Sequence, residues 1–391
     1  MTPTPMSMAD PLRPTGYTWE ATDEDVAARY GIPLEQIVRF DVNTSPTPPA
    51  FIERLLAAGR FTPPLSEYPP TDYRRLVAAA AVRYGVGMDE LIVGAGADEI
   101  LDIIAKTFLP PGSAALVPAP TYAMYRIDTE QRPARVVTVP RLGAAEGYAL
   151  DLPAIRIAIE DDPAIAVVWL CDPNNPTGAQ EPDGSIETLL RWLLSDAQAR
   201  AVDPPVVVID EAYAEFVGTT HLGSRSLYPR LIVIRTASKA YALAGLRVGF
   251  GIARPELIDR MNPYRPPGSI STVSVGLVTA ALEDPAVLHE NLARVGSERD
   301  RLAGGLAALG WDVRPSVTNF LLVRLDSREH ASFMAEALLG NGLIPRTFGV
   351  DHPLADHLRV TVRDRDENDR FIAVAAAGQR AWQTRTEESR P

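Results

Sequence analysis

Short apolar runs alternate with amphipathic stretches through the middle of the chain. Seven of these runs have the length and the β-branched content of buried strands. They cover residues 91–93, 114–117, 135–139, 165–170, 206–209, 231–234 and 247–252. Because stretches with helical spacing separate them, the pattern predicts an α/β domain built on a mostly parallel, seven-stranded sheet flanked by helices.

The sequence on both sides of this region predicts further elements. Before it, Thr22 is placed to cap a short helix, after which the chain is extended and then helical again. After it, a long helical region with breaks leads into a strand, a helix, a strand and a helix. The predicted ranges are 23–30, 37–42, a helix from near residue 50, 72–84, 271–308, 320–325, 331–339, 358–362 and 366–380.

These elements predict a smaller α+β domain after the large α/β domain. We expect an N-terminal arm over 1–45 that packs with the small domain, a large domain over 46–267 and a small domain over 268–391. Pro266 and Pro267 would form the hinge between the two domains.

Composition narrows the function classes. The chain has 391 residues and a formal net charge of -12, which argues against nucleic acid and membrane surfaces as partners. Its one cysteine, Cys171, cannot form an intramolecular disulfide, and no apolar stretch has the length of a membrane span. The five histidines lack metal-ligand spacing, so no metal site is expected. We expect a cytoplasmic protein.

Lys239 is the first candidate for chemistry. It lies with Thr236, Ser238 and Arg247 after a predicted strand, and ligands of open α/β sheets bind beyond the carboxyl ends of strands. The chain has only two lysines, Lys106 and Lys239, since nearly all its other basic residues are arginines. A lysine can form a Schiff base and an arginine cannot. The alternative is an ordinary surface lysine.

Two turns that follow earlier strands suit a flat, phosphate-bearing ligand. Gly94-Ala-Gly-Ala97 precedes an amphipathic helix, where small residues and free N–H groups favour phosphate, although a simple tight turn is the alternative. This turn lacks the third glycine of the dinucleotide-binding fingerprint. Tyr122 follows the next strand and could stack on a ring or simply pack in the core.

Two further strand ends carry an amide and a carboxylate. Asp172-Pro-Asn-Asn-Pro-Thr-Gly178 is a rigid, proline-pinned turn that can aim an asparagine amide. Asp210 ends a buried strand, where a carboxylate favours a cationic partner such as a protonated pyridine nitrogen. A lysine imine, a carboxylate, an aromatic plate, an amide and a phosphate cradle together match the requirements of pyridoxal 5'-phosphate.

These motifs resemble those of the pyridoxal-phosphate aminotransferases of fold type I, and within them most closely the histidinol-phosphate aminotransferases. The resemblance runs from about residue 17 to residue 361. It depends most on Asp172-Pro-Asn-Asn-Pro-Thr-Gly178, Asp210-Glu-Ala-Tyr213, Thr236-Ala-Ser-Lys-Ala240 and Leu243-Ala-Gly-Leu-Arg247. It implies the aspartate aminotransferase-like fold and a transfer of an amino group between an amino donor and 2-oxoglutarate through a Lys239 aldimine.

The resemblance also implies roles for individual residues. Lys239, Asp210 and Tyr122 would be catalytic, with Tyr122 stacked on the cofactor ring. Asn175 and Tyr213 would bind its 3'-oxygen. The phosphate would be bound by Ala97, Asp98, Thr236, Ser238 and Arg247. Tyr68 would bind the phosphate in the site of the other subunit, so the resemblance implies a homodimer with shared sites. The substrate, an amino acid or amino-alcohol phosphate with a 2-oxo acid, would meet Arg359, Arg346, Tyr17 and Asn43.

The chain departs from the family pattern at the substrate end. The family's usual Asn-Glu-Asn-Pro is Asn43-Thr-Ser-Pro46 here, and Val362-Arg363 stands where a glycine is normal. The alternatives are therefore a threonine-phosphate type decarboxylase, and a cyclase or aromatic aminotransferase of a specialised pathway. A non-catalytic sensor on the same fold is a further alternative, but too few residues precede the large domain for a DNA-binding unit.

Overall fold

In the computed structural model, which describes residues 20–59 and 61–388, helices and strands alternate through most of the chain. The α-helices are α1 (Asp23–Tyr30), α2 (Ala50–Ala57), α3 (Arg74–Tyr84), α4 (Ala97–Phe108), α5 (Met124–Glu130), α6 (Leu152–Asp161), α7 (Ser185–Arg200), α8 (Pro255–Met261), α9 (Thr272–Glu283), α10 (Pro285–Ala307), α11 (Arg328–Leu339) and α12 (Arg365–Glu388). The strands are β1 (Val38–Phe40), β2 (Leu91–Gly94), β3 (Ala114–Ala119), β4 (Arg135–Pro140), β5 (Ile165–Cys171), β6 (Val206–Asp210), β7 (Leu231–Thr236), β8 (Gly249–Ile252), β9 (Asp312–Val313), β10 (Phe320–Arg324), β11 (Leu343–Pro345) and β12 (His357–Thr361).

A seven-stranded sheet forms the centre of the large domain, as the alternating pattern predicted. Its strand order is β2-β8-β7-β6-β5-β3-β4, and only β8 runs antiparallel to its neighbours. All five residues of β6 are buried, because apolar clusters cover both faces of the sheet. This two-sided burial explains why the strands are continuous apolar runs rather than alternating ones.

The N-terminal arm begins with the helix that the sequence predicted. Thr22 accepts a hydrogen bond from the backbone of Asp25, whose side chain binds the Thr22 N–H in return. Gly31 ends α1 with a φ of 66°, a conformation that costs a glycine little. The arm then forms β1, whose Val38 and Phe40 pack in the core of the small domain.

The small domain contains two short strands that the sequence did not predict. β9 pairs with β10, which also pairs with β12, so these three strands form an antiparallel sheet. β11 pairs in parallel with β1 of the arm. Strands of two or three residues carry too few positions for a hydrophobic period to be recognised. α12 is also longer than predicted and extends to Glu388.

The expected division near Pro267 does not coincide with a division of the hydrophobic core. α9 packs against α3, and Leu277 and Val278 belong to the same core cluster as strand residues of the large sheet. The first turn of α10, with Val287 and Leu288, also lies in that cluster, whereas Val295 lies in the core of the small domain. We propose that the division lies within α10. Among the described residues, no helix is both long and apolar enough to cross a membrane.

Candidate active site

The carboxyl ends of five strands meet at one edge of the large sheet. β2, β3, β5, β6 and β7 are parallel to one another, and Gly94 and Thr236, which end β2 and β7, both pair with Gly249 of β8. A cavity of about 430 Å³ opens at this edge, a size typical of small-molecule sites. Thirteen predicted residues line it: Asn43, Ala97, Asp98, Tyr122, Asn175, Asp210, Tyr213, Thr236, Ser238, Lys239, Arg247, Arg346 and Arg359.

Two predicted residues are not among those that line this cavity. Tyr68 is 92% exposed, in the segment between α2 and α3. Tyr17 lies outside the described residues. Because Tyr68 does not line the cavity of its own subunit, the role implied for it depends on a second subunit.

Lys239 is positioned by the loop that follows β7. Its Nζ donates to the carbonyl oxygens of Val42 and Asn43, each at 3.3 Å, and lies 5.9 Å from the centroid of the Tyr213 ring. Burial, and after it the nearby Arg359 guanidinium, lower the pKa of Lys239 to about 8. The amine is therefore readily available in its neutral, nucleophilic form.

Asp210 ends β6 with its carboxylate buried. Its Oδ1 accepts from the Ala212 N–H at 3.0 Å and its Oδ2 accepts from the Tyr125 hydroxyl at 2.8 Å. Burial raises the pKa of Asp210 to about 6, against these two hydrogen bonds. Within residues 20–59 and 61–388 no ion pair involves Asp210, so a cationic ring nitrogen would supply a charge that the buried carboxylate lacks.

The Arg247 side chain packs against the first residues of α4 and the glycine that precedes them. Gly96 precedes the helix with a φ of 84°, and a Cβ at Gly96 would lie 2.3 Å from Nη2 of Arg247. Arg247 pairs with Asp98 at 3.1 Å, and Asp98 accepts from the Tyr122 hydroxyl at 3.0 Å. Free N–H groups at a helix start and a guanidinium form an anion site, which fits the phosphate of pyridoxal 5'-phosphate.

Hydrogen bonds join polar side chains from several strands and loops around the cavity. Asn43 donates from Nδ2 to the Tyr213 hydroxyl at 3.0 Å, and Asn175 Oδ1 accepts from Nη1 of Arg359 at 2.6 Å. Thr236 donates from its hydroxyl to Oγ of Ser238 at 3.0 Å. These six residues all line the cavity that holds Lys239, so their polar atoms are available to a ligand there.

Arg346 and Arg359 lie side by side because their backbones form an antiparallel bridge. Each N–H donates to the other residue's carbonyl oxygen at 3.0 Å. Arg359 is buried, contacts the face of Phe320 and donates to the carbonyl oxygen of Asp41. Glu20 of the arm lies 3.5 Å from Arg346. Two arginine side chains in the lining of the cavity that holds Lys239 are suited to an anionic substrate.

The sequence argument missed several residues that line the cavity. Asp41, Thr44, Met124, Cys171 and Ala212 are among them. Asp41 follows β1, and the pairing of β1 with β11 brings it beside Arg346, which no local pattern signals. Cys171 pairs in register with Asp210, so its place in the cavity follows from the β5–β6 pairing.

Comparison with known proteins places this arrangement in a family. The model for aminotransferases of class I and II matches residues 36–374. The histidinol-phosphate aminotransferase of Roseiflexus castenholzii is 34% identical over 384 residues, which cover 95% of this chain and 98% of that protein. The corresponding enzyme of Symbiobacterium thermophilum is 34% identical over 358 residues, covering 90% and 93%.

A solved structure shows the same fold over nearly the whole length. The histidinol-phosphate aminotransferase from Sinorhizobium meliloti, in complex with pyridoxal-5'-phosphate, superposes with a TM-score of 0.81 and 25% identity. The match covers 96% of this chain and 99% of that one. The cavity described above therefore lies in a scaffold that binds this cofactor in a related protein.

Proposed function

Since the chain belongs to the class I and II aminotransferases, which depend on pyridoxal 5'-phosphate, we propose that it transfers an amino group between histidinol phosphate and 2-oxoglutarate. The observation that carries this proposal is that Arg346 and Arg359, joined by a backbone bridge, both line the cavity that holds Lys239. Phosphate and carboxylate are the anions that a guanidinium group binds best. Relatives named for this activity match over most of the chain.

The residues at the strand ends would hold the cofactor. Lys239 would bind it covalently through its amine, Tyr122 would stack on its ring, and Asp210 would face the ring nitrogen. Asn175 and Tyr213 would bind the ring oxygen. The phosphate would be bound by Ala97, Asp98, Thr236, Ser238 and Arg247. When bound, the cofactor supplies a conjugated ring that accepts the electron pair of the substrate's α-carbon.

Lys239 would then move the proton at the substrate's α-carbon. The pKa of about 8 supports this role, because a general base works best when its pKa is near the working pH. The amine donates hydrogen bonds to the carbonyl oxygens of Val42 and Asn43, which restrict its motion. Both acceptors are uncharged. Asp210, which forms no ion pair within the described residues, would keep the ring nitrogen protonated.

The substrate end is supported by the position of Arg359. Its guanidinium is fixed by Asn175, by the carbonyl oxygen of Asp41 and by the face of Phe320, so it presents a defined direction to an incoming anion. Arg346, which is joined to Arg359 by the backbone bridge and also lines the cavity, would be a second arginine for binding the substrate's anion. The bidentate geometry of a guanidinium matches both carboxylate and phosphate.

We also propose a homodimer with shared active sites. Tyr68 is exposed, and Leu65 in the same segment is 78% exposed. In a dimer, this segment of one subunit would cover the cavity of the other, and the tyrosine would reach the phosphate. Mixing Lys239→Ala and Tyr68→Ala subunits tests this, because a mixed dimer then has one intact site. Activity that stays absent on mixing would contradict shared sites.

The first experiment is a series of absorbance spectra of the purified holoenzyme with one candidate amino donor at a time. We expect histidinol phosphate to bleach the visible band of the bound cofactor at lower concentration than phenylalanine or glutamate does. Bleaching that favours phenylalanine would point to an aromatic aminotransferase. Release of carbon dioxide would indicate a decarboxylase, and a cyclised product would indicate a cyclase; either result would contradict the proposed transamination.

A pair of variants links the substrate to the arginines. Arg359→Lys should raise the KM for histidinol phosphate by about tenfold or more, since a lysine cannot bind an anion in the same two-point manner. Arg324→Lys is the matched control, because Arg324 lies at the end of the neighbouring strand β10 and its half-exposed side chain binds Asp356 rather than lining the cavity. Equal effects of the two substitutions would contradict the assignment.

A further inference from the structure

Tyr125 contacts the Asp210 carboxylate, although the proposed function assigns it no role. The side chain is fully buried on α5, and its hydroxyl donates to Oδ2 of Asp210 at 2.8 Å. The other carboxylate oxygen accepts from the Ala212 N–H. Tyr125 is therefore the side chain that supplies a hydrogen bond to the carboxylate from outside its own strand.

The position of this hydroxyl is fixed by the packing of its ring. The Tyr125 ring stacks on Trp169 with a centroid distance of 5.6 Å and meets the ring of Tyr122 edge-on at 5.7 Å. Thr129 donates to the Tyr125 carbonyl oxygen and accepts from the Trp169 indole. Such aromatic contacts stabilise one ring orientation, so the hydroxyl points at Asp210 without a large entropic cost.

The carboxylate is surrounded by few groups that could compensate its charge. The titratable and charged groups that face it come from five different elements or loops: Asp98, Tyr125, Cys171, Tyr213 and Lys239. Only Lys239 favours the anion by its charge, while Asp98 opposes it. Burial raises the pKa of Asp210, and the hydrogen bond from Tyr125, followed by that from Ala212, is the largest effect that opposes burial.

We propose that Tyr125 is a positioning residue that keeps the Asp210 carboxylate a weaker base than the ring nitrogen of the cofactor, so that their shared proton stays on the nitrogen. This inference rests on the proposed function, in which Asp210 faces that nitrogen. A hydrogen bond donated to a carboxylate stabilises its anionic form. Without it the carboxylate becomes more basic and takes the proton, and the ring loses the positive charge that draws electrons from the substrate.

The test is Tyr125→Phe, which removes one oxygen atom and keeps the ring contacts. Tyr228→Phe is the matched control: Tyr228 is also fully buried, and its hydroxyl donates to the Pro205 carbonyl oxygen at 2.7 Å, outside the cavity. Urea unfolding of both variants checks that they fold. The holoenzymes are then loaded with cofactor labelled with nitrogen-15 in the ring.

The nitrogen-15 chemical shift reports the proton directly. Wild type and Tyr228→Phe should show a protonated ring nitrogen. In Tyr125→Phe the pH at which the nitrogen loses its proton should fall by about one to two pH units, and kcat should fall about ten- to a hundredfold. An unchanged titration in Tyr125→Phe would overturn the proposal.

A cofactor analogue with a C–H in place of the ring nitrogen separates this role from a purely structural one. With the analogue bound, wild type and Tyr125→Phe should turn over at equal, low rates, because the proton that Tyr125 governs is absent. A further loss in Tyr125→Phe would show that the tyrosine acts through packing, against the proposal. An unprotonated ring nitrogen in wild type would instead contradict the proposed role of Asp210 in keeping that nitrogen protonated. The inference about Tyr125 would then fail as well.

Discussion

Gly249 packs against the backbone of Gly96 and Ala97, which would bind the cofactor phosphate. The substitution Gly249→Ala should displace that backbone without removing a polar group. A Cβ at Gly249 would lie 2.4 Å from the carbonyl carbon of Gly96 and 2.5 Å from the amide nitrogen of Ala97. Ordinary Cβ contacts begin at 3.4 Å, so the loop before α4 must move by about 1 Å. The obstacle is backbone, which cannot rotate away as a side chain can.

The size of the effect follows from this displacement. Overpacking of this kind costs about 1–3 kcal/mol of folding free energy. An N–H that moves by about 1 Å from its acceptor no longer makes a hydrogen bond. A hydrogen bond to a charged group contributes about 1.5–3 kcal/mol, so the affinity for pyridoxal 5'-phosphate should fall about ten- to a hundredfold.

The assay combines urea unfolding of the cofactor-free protein with titration of the cofactor. Gly223→Ala is the control, since a Cβ at Gly223 meets no described atom within 4 Å. Binding of pyridoxal, which lacks the phosphate, should be nearly the same in wild type and Gly249→Ala. If Gly249→Ala bound pyridoxal 5'-phosphate as tightly as wild type, the phosphate would not lie at this loop.

Three further predictions concern titratable groups. His221 donates hydrogen bonds to the carboxylates of Asp172 and Glu187. Against the effect of burial, these contacts and the nearby Glu211 charge raise the pKa of His221 from 6.5 to about 9. Its contribution to stability is therefore complete below pH 6.5 and is lost as the pH rises through 9. His221→Gln should therefore be less stable than wild type by about 3 kcal/mol at pH 6 and nearly as stable at pH 10, as measured by urea unfolding; a difference that is the same at both pH values would contradict this. The rate at which cofactor-free protein captures pyridoxal 5'-phosphate should rise through a pKa of about 8, since burial lowers the pKa of Lys239; a midpoint near the ordinary 10.5 would refute it. Burial raises the pKa of Cys171 to about 12, so a thiol reagent at pH 8 should label it only after unfolding, and rapid labelling of native protein would show that the thiol is accessible.

Much of the large domain could be predicted because its information is local. β6 and β7 are apolar runs that end in a polar residue. A strand that is buried on both faces of a sheet must be apolar at nearly every position, so it can be recognised from its own sequence. The small domain was predicted less completely, since β11 is three residues long and depends on β1, which lies about three hundred positions earlier. No pattern within either segment contains that pairing.

The sequence by itself determined the cofactor side of the site. Lys239, Asp210 and Asn175 each follow a recognisable strand, and the parallel sheet necessarily gathers strand ends at one edge. A motif was therefore enough to identify the chemistry, although the roles of these residues stay predictions.

Only the tertiary structure decided which groups touch. The bridge between Arg346 and Arg359 depends on how the chain folds back in the small domain. The hydrogen bond from Tyr125 to Asp210 joins residues 85 positions apart. Apolar and polar periodicity fixes which side of an element is buried, but a contact between two elements depends on distance and orientation, which exist only once the core has packed.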